Sequence, residues 1–322
     1  MLSVYVPQDG MLGRVPIEPG ERPPENAVWI DLVSPTVQED KLVEQLLGVA
    51  VPTREEMQEI EVSSRLYVEH GARYMTATLM CQSDTATPKT TAVTFILASH
   101  RLVTVRYDEP RPFAIVEHKL GRACSPKIAG DTVLMDLLDA VIDRSADILE
   151  RIGAEIDLIS HTIFEPEADE VPSYNDVLKA LGRKGDLTSK VRESLVSIGR
   201  VLLFLANEAE TMKWAKDMRT QVQSMQRDVI SLTDHASYIS NKVTFLLDAM
   251  LGVVNIQQNA IIKIFSVAAV VLMPPTLVAS IYGMNFKHMP ELDFEFGYPL
   301  AIVVMVLAAV LPYMWFKWKK WL

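Results

Sequence analysis

Apolar positions change their period twice along the chain. From Met1 to about residue 125, short apolar runs alternate with polar ones. Leu2–Val6, Ala27–Leu32, Arg73–Cys81, Thr90–Ala98 and Arg101–Tyr107 read as strands, with a tight turn at Ser99-His100. Ser34-Pro35 reads as a helix start, with Ser34 as N-cap and Pro35 at the first helical position, and the helix runs to about Leu47. A short helix is predicted at Thr53–Ile60 and another at Arg111–Arg122. Residues 1–125 are therefore expected to form an α/β domain.

From Asp131 the period becomes 3.6. Leu134, Leu138, Val141, Ile148, Ile152, Ile156 and Ile159 share one face, and Asp136, Asp139, Asp143, Asp147, Glu150 and Asp157 lie largely opposite. Glu165–Pro172 reads as an acidic loop, and Ser173–Glu208 as a second amphipathic helix interrupted near Gly182–Gly185. The two helices are expected to pair as an antiparallel hairpin over residues 126–211. Beyond Met212 no proline occurs until Pro274. Val222, Met225, Val229, Leu232, Ala236, Ile239, Val243, Leu246, Met250 and Val253 repeat in steps of three and four. This heptad seam predicts packing against parallel neighbours. A helix over 220–282 would be about 95 Å long at 1.5 Å per residue. It would form a stalk over 212–262 and then enter lipid.

Over 20 residues between Lys263 and Lys287, and again between Glu295 and Lys317, carry no charge, enough for a hydrocarbon core of about 30 Å. Residues 263–322 are expected to form a transmembrane domain with spans at about 264–283 and 297–316. Lysines interleave with tryptophans in Trp315-Phe316-Lys317-Trp318-Lys319-Lys320-Trp321, which suits the cytoplasmic headgroup layer. Two spans return the chain to its starting side, so both termini and the large N-terminal domain are expected in the cytoplasm and the loop Asn285–Phe296 outside.

Composition narrows the function. A net charge of −10 argues against nucleic acid as a partner. Cys81 and Cys124 form no paired motif and read as ordinary thiols, and Met1–Gly10 has no signal-peptide pattern. The six histidines fall in no catalytic spacing and no phosphate-binding glycine loop is present, so an enzyme or an ATP-driven pump is not expected.

The chemistry lies on a stripe through the first span, one step round from the heptad seam: Asp248, Gly252, Asn255, Asn259, Ile262, Ser266, Ala269, Met273, Thr276, Ser280 and Gly283, with Asn285 just beyond. A polar stripe in lipid must face protein or water. Small residues and hydroxyls suit helix packing, but Asp248 and Asn259 continue the stripe below the span and suit a water-filled lumen. Two spans cannot enclose a lumen, so several chains must each contribute a helix. Amide and hydroxyl oxygens suit a hard cation that keeps its water, as magnesium does, and serve a soft metal poorly. Ile262 and Met273 would be apolar constrictions.

Tyr282-Gly283-Met284-Asn285-Phe286, then Met289-Pro290-Glu291-Leu292, then Phe296-Gly297-Tyr298-Pro299, with Met273-Pro274-Pro275-Thr276 upstream, closely resemble the CorA magnesium transporters. The likeness is sharp from about Asn255 onward. It implies a funnel-shaped homopentamer in the inner membrane, an α+β membrane protein whose stalk helix continues into the first of two transmembrane helices. It implies a selectivity filter at Gly283, Met284 and Asn285, with Asn285 as the outer ring. Inner rings map to Ser280, Thr276, Met273, Phe265 or Ile262, Asn259 and Asp248, with metal contacts at Asn285, Asn259 and Asp248. It implies passive influx of Mg2+, and of Co2+ and Ni2+, with cytoplasmic Mg2+ favouring closure. Many members carry an acid just after Gly-Met-Asn-Phe. This chain has Lys287 and His288 there, and Glu291, Asp293 and Glu295 keep the outer loop negative. The related zinc-transporting ZntB branch usually alters the middle residue of the triplet, where this chain keeps Met284. A rival of another class is a membrane-anchored coiled-coil scaffold without a pore.

Overall fold

The computed structural model describes residues 1–8, 10–18, 20–85, 87–122, 128–165, 173–285, 289 and 295–319. The chain divides into two compact units, Met1–Leu246 and Leu247–Leu322.

The first unit is built on a seven-stranded sheet. Its strands are β1 (Leu2–Gln8), β2 (Met11–Val15), β3 (Trp29–Val33), β4 (Leu66–Glu69), β5 (Ala72–Cys81), β6 (Lys89–Ala98) and β7 (Arg101–Arg106), in the order β2-β1-β3-β7-β6-β5-β4. Only β3 and β7 run parallel, with Ile30 opposite Val103. Strands β2 and β4, at the two edges of the sheet, are not among those predicted from the sequence. Each is short and half-exposed, so neither carries a strong apolar alternation.

Side chains alternate across the sheet. One face puts Val4, Ile30, Leu32, Tyr74, Ile96 and Val103 into a core with Val43 and Met57. These last two come from α1 (Val37–Leu47) and α2 (Arg54–Met57). Helix α1 starts later than its Ser-Pro signal suggests. Its N-cap is Thr36, whose side chain and the Glu39 carboxylate satisfy each other's backbone amides, while Ser34 sits at φ 44°. The reciprocal pair serves two orphan amides where a lone Ser34 cap would serve one. Helix α2 has the same box at Thr53 and Glu56 but stops at Met57, short of Ile60. A single turn, α3 (Val62–Arg65), then leads into β4.

The sheet also packs against α4 (Arg111–Leu120), α5 (Gly130–Phe164) and α6 (Tyr174–Glu208). Between β3 and β7 lies a buried polar chain. Trp29 Nε1 donates to Thr104 Oγ1 at 2.9 Å, Thr104 donates to Asp31 at 2.6 Å, and Arg106 pairs with Asp31 at 2.9 Å. The Arg106 guanidinium also lies 4.7 Å from the centre of the Phe113 ring. Cys81 is a free, buried thiol whose pKa is pushed up by that burial, and Cys124 lies outside the described residues.

Helix α6 runs without the break predicted near Gly182–Gly185. A methyl at Gly185 would meet Val243 Cγ1 at 3.5 Å, and one at Gly199 would meet Val229 Cγ1 at 3.3 Å. These glycines are points of close helix approach rather than breaks. Val229 and Val243 belong to α7 (Lys216–Tyr282), a helix of 67 residues, about 100 Å at 1.5 Å per residue. Ascending on α6 while descending on α7 is antiparallel packing. The heptad seam is therefore corrected: Val222, Met225, Val229, Ala236, Ile239, Val243 and Leu246 are buried within the chain's own first unit. A seam of this period records only that one face is covered, and α6 covers it. The Phe164–Phe245 ring pair at 6.3 Å and the Lys242–Asp157 ion pair fix α7 to α5 as well.

Candidate functional site

The second unit carries the end of α7 and α8 (Gly297–Trp318), two helices long and apolar enough to cross a membrane. Their apolar stretches stay at the surface of the single chain: Ile262, Phe265, Met273 and Leu277 on α7 and Leu300, Val306 and Leu311 on α8 are all exposed.

Helix phase decides which residues share a face. At about 100° per residue, Asp248 and Gly252 stand about 200° from the buried Met250. The stripe therefore runs opposite the seam, not one step beside it. Asn255, Asn259, Ile262, Ser266, Ala269, Met273, Thr276 and Ser280 follow in the same phase and are exposed. The half-buried positions Val267, Val271, Pro274, Pro275 and Val278 occupy the other side of the helix. An open groove along α7 brings together Phe265, Ala269, Met273, Thr276 and Ser280, with Ala268, Leu272 and Leu277 beside them.

Exposure alone does not single out this face, because Ile256, Ile261 and Ile264 are exposed too. Its side-chain chemistry does. From Ile264 to Ile281 the only polar side chains, Ser266, Thr276 and Ser280, lie on this face, and Asp248, Asn255 and Asn259 continue it with carboxylate and amide oxygens. Thr276 Oγ1 donates to the Leu272 carbonyl at 2.7 Å, which satisfies the hydroxyl hydrogen and leaves its lone pairs as acceptors. Pro274 and Pro275 lie inside the helix. Lacking N–H groups, they leave the Val270 and Val271 carbonyls without their helical donors. The proline pair is a signal that pattern reading passes over, because apolar periodicity does not register a missing donor.

Helix α7 ends at Tyr282, and Gly283 and Met284 close the last turn onto the Ala279 and Ile281 carbonyls at 3.0 and 3.2 Å. A methyl at Gly283 would lie 3.2 Å from the Ala279 oxygen, so glycine suits this close approach. Asn285 follows, exposed, at the negative end of the helix dipole. Its amide oxygen and the last unpaired carbonyls of α7 favour a cation there. Phe286, Lys287, His288 and Glu291 lie outside the described residues. Among the described residues no three histidine, cysteine or acidic side chains converge on a metal-binding position. An ion meeting this stripe therefore meets amide, hydroxyl and backbone oxygens, with Asp248 as the one carboxylate.

A family model described as CorA-like Mg2+ transporter protein matches residues 24–319. The magnesium transport protein CorA of Escherichia coli strain K12 is 37% identical over 325 residues, covering 100% of both chains. Among solved structures, the complete CorA magnesium transporter of Methanocaldococcus jannaschii superposes with a TM-score of 0.76 at 18% identity, covering 100% of this chain and 99% of that one. The ZntB cytoplasmic domain from Vibrio parahaemolyticus gives a TM-score of 0.55 at 11% identity over 79% of this chain and 97% of that one. At these identities the two structures speak for the fold alone.

Proposed function

Because this chain belongs to the CorA-like Mg2+ transporter family, we propose that it carries Mg2+ passively into the cell through a pore lined by α7 from five copies. The observation that carries this reading is the full-length likeness to the E. coli protein, joined to a Gly283-Met284-Asn285 triplet at the end of the oxygen-bearing face of α7.

In this reading the five Asn285 amides form the outer ring, with Gly283 and Met284 shaping it. Magnesium sheds water reluctantly, so a ring of amide oxygens that accepts hydrogen bonds from its water shell selects the ion without trapping it. Ser280, Thr276, Ser266, Asn259 and Asn255 continue the polar lining, and Asp248 stands at the inner mouth. Phe265, Met273 and Ile262 are the apolar constrictions, and Ala269 keeps the bore open between them. The funnel-shaped homopentamer lies in the inner membrane with both termini in the cytoplasm, and Glu291 in the outer loop draws cations. Co2+ and Ni2+ pass by the same route. Cytoplasmic Mg2+ favours the closed state.

A divalent ion gains about 4.6 kcal/mol per 100 mV of inward-negative potential, which supports a concentration ratio of roughly a thousandfold without ATP. The test is uptake into proteoliposomes holding a fluorescent magnesium indicator, at an imposed negative-inside potential, for wild type and Asn285→Ala. Strong uptake that collapses in the variant is expected. Zinc uptake without magnesium uptake would instead assign the chain to the ZntB kind of transport. No ion uptake by an intact oligomer would leave the scaffold reading.

A further inference from the structure

Away from the α7 stripe, the first unit contains a cavity of about 520 Å³ at the junction of α3, β5, α6 and α7. Its volume is within the usual range for small-molecule sites. Its wall is cationic, against the sign of a chain whose net charge is −10. Arg65, Arg192 and Arg200 line it, with Glu193 as the single carboxylate.

The sequence places these groups by helical spacing. Arg192 and Arg200 stand eight positions apart on α6, just over two turns, so both project to one side. Arg65 ends α3 and is held in place by the Thr78 hydroxyl at 3.0 Å and the Glu59 carbonyl. The short strand β4 pairs with β5 no further than Met75, so Thr78 meets α6 directly: its amide donates to Ser197 Oγ at 2.9 Å. Sheet edge and helix are thereby pinned on one side of the cavity.

The positive charges are under-compensated. Arg192 and Arg200 make no ion pair or hydrogen bond among the described residues. The Arg65 pKa is drawn down, first by burial and then by Arg200, with Glu193 opposing. The Ser189 and Ser240 hydroxyls add donors to the wall. A neighbouring cavity of about 260 Å³ shares Arg65, Thr78 and Glu193 and adds Arg54, which lies 5.0 Å from the centre of the Tyr107 ring.

We propose that this cavity is a binding site for a soluble phosphate-bearing anion of two or more negative charges. Guanidinium forks match phosphate oxygens two at a time, and three forks around one carboxylate leave charge for a polyanion to neutralise. The cavity belongs to the first unit, whereas the uncharged stretch of α7 begins only at Ile264 in the second, which favours a soluble phosphate compound over a lipid. Ser240 belongs to α7 and Arg65 to the turn before β4, so such a ligand would bridge the sheet to the long helix.

Pyrophosphate is the titrant, followed by calorimetry on the full-length protein in detergent, in buffers stripped of divalent ions by a chelating resin and held at constant ionic strength. Saturable binding is expected. Arg192→Gln with Arg200→Gln should weaken it about tenfold or more, since each lost charge-assisted bond is worth that order. Arg183→Gln, at another cavity on α6, should leave it unchanged. Pyrophosphate should also protect Arg192 of the wild type from an arginine-directed dicarbonyl reagent, read by mass spectrometry, which needs no variant. Absence of saturable binding, equal affinity in the double variant, equal loss in Arg183→Gln, or no protection would overturn the proposal. So would a double variant that binds normally but loses its oligomer, which would give the two arginines to carboxylates of a second copy.

Discussion

Replacing Asp31 with alanine tests whether the β3–β7 junction depends on a desolvated ion pair. Asp31 is 3% exposed, and its partner Arg106 has a side chain 12% exposed. The carboxylate accepts from Thr104 Oγ1 at 2.6 Å and from Arg106 Nε and Nη2 at 3.2 and 2.9 Å. Removing it strands a guanidinium whose remaining supports are the Asp108 carbonyl at 2.9 Å and the face of Phe113. Breaking one side of such a pair costs about 3–5 kcal/mol, a large part of the roughly 5–15 kcal/mol that holds a domain together. Replacing both partners, as Asp31→Leu with Arg106→Met, removes the desolvation cost along with the attraction and should restore most of the loss. The measurement is amide hydrogen exchange of β3 and β7 in the full-length protein, by mass spectrometry. Those strands should exchange roughly 10²- to 10⁴-fold faster in Asp31→Ala and near the wild-type rate in the double variant. A single variant within about tenfold of wild type, or a double variant as labile as the single, would refute the reasoning.

The two α6 glycines should separate by their clearance from α7. Gly185→Ala has room at 3.5 Å from Val243 and should raise stability by about 1 kcal/mol through helix propensity. Gly199→Leu, starting from 3.3 Å to Val229, should cost about 1–3 kcal/mol by overpacking; thermal melts followed by circular dichroism compare them, and a neutral Gly199→Leu would contradict the antiparallel register. The Asp139 carboxyl has a pKa raised above the ordinary aspartate range, first by burial and then by Asp143, with Asp136 and Asp228 adding and Lys119 opposing. A raised folded-state pKa means stability is fully present below the unfolded value and is lost as pH rises through the folded one. Asp139→Asn should therefore be more stable than wild type at neutral pH, and the gap should close on acidification below about pH 3.9; a gap that is constant with pH would dismiss the charge. Met273→Ser or Ile262→Ser should raise the closed-state magnesium leak in proteoliposomes by wetting an apolar constriction, and unchanged leak in both would mean that the pore face is mis-phased.

Much of the fold is legible in the sequence because local rules act there without competition. The runs rich in apolar residues and threonine at Arg73–Cys81, Thr90–Ala98 and Arg101–Tyr107 locate β5, β6 and β7 to within a residue, since these strands are buried along most of their length and leave few exposed positions to break the run. The errors fall where a local signal is ambiguous. Ser34-Pro35 and Thr36-x-x-Glu39 both mark a helix start, and the second prevails because it satisfies two amides. Gly182 and Gly185 look like a break, and only a neighbouring helix shows that they give clearance.

The long helix divides what sequence decides from what packing decides. Absence of charge over more than 20 residues, the stripe from Asp248 to Ser280 and the Gly283-Met284-Asn285 ending are all present in the chain as written. They follow from the one-dimensional demand that polar groups in lipid be placed on purpose. The partner of the heptad seam is not present there. A period of three and four states that a face is buried and says nothing of what buries it, whether a parallel copy or the same chain folding back. The tertiary structure decides this by setting Gly199 against Val229 and Gly185 against Val243. It thereby assigns the seam to the chain's own helices and leaves the opposite, oxygen-bearing face exposed. The arginines around the 520 Å³ cavity were equally invisible, because residues 65, 192 and 200 are brought together only by folding.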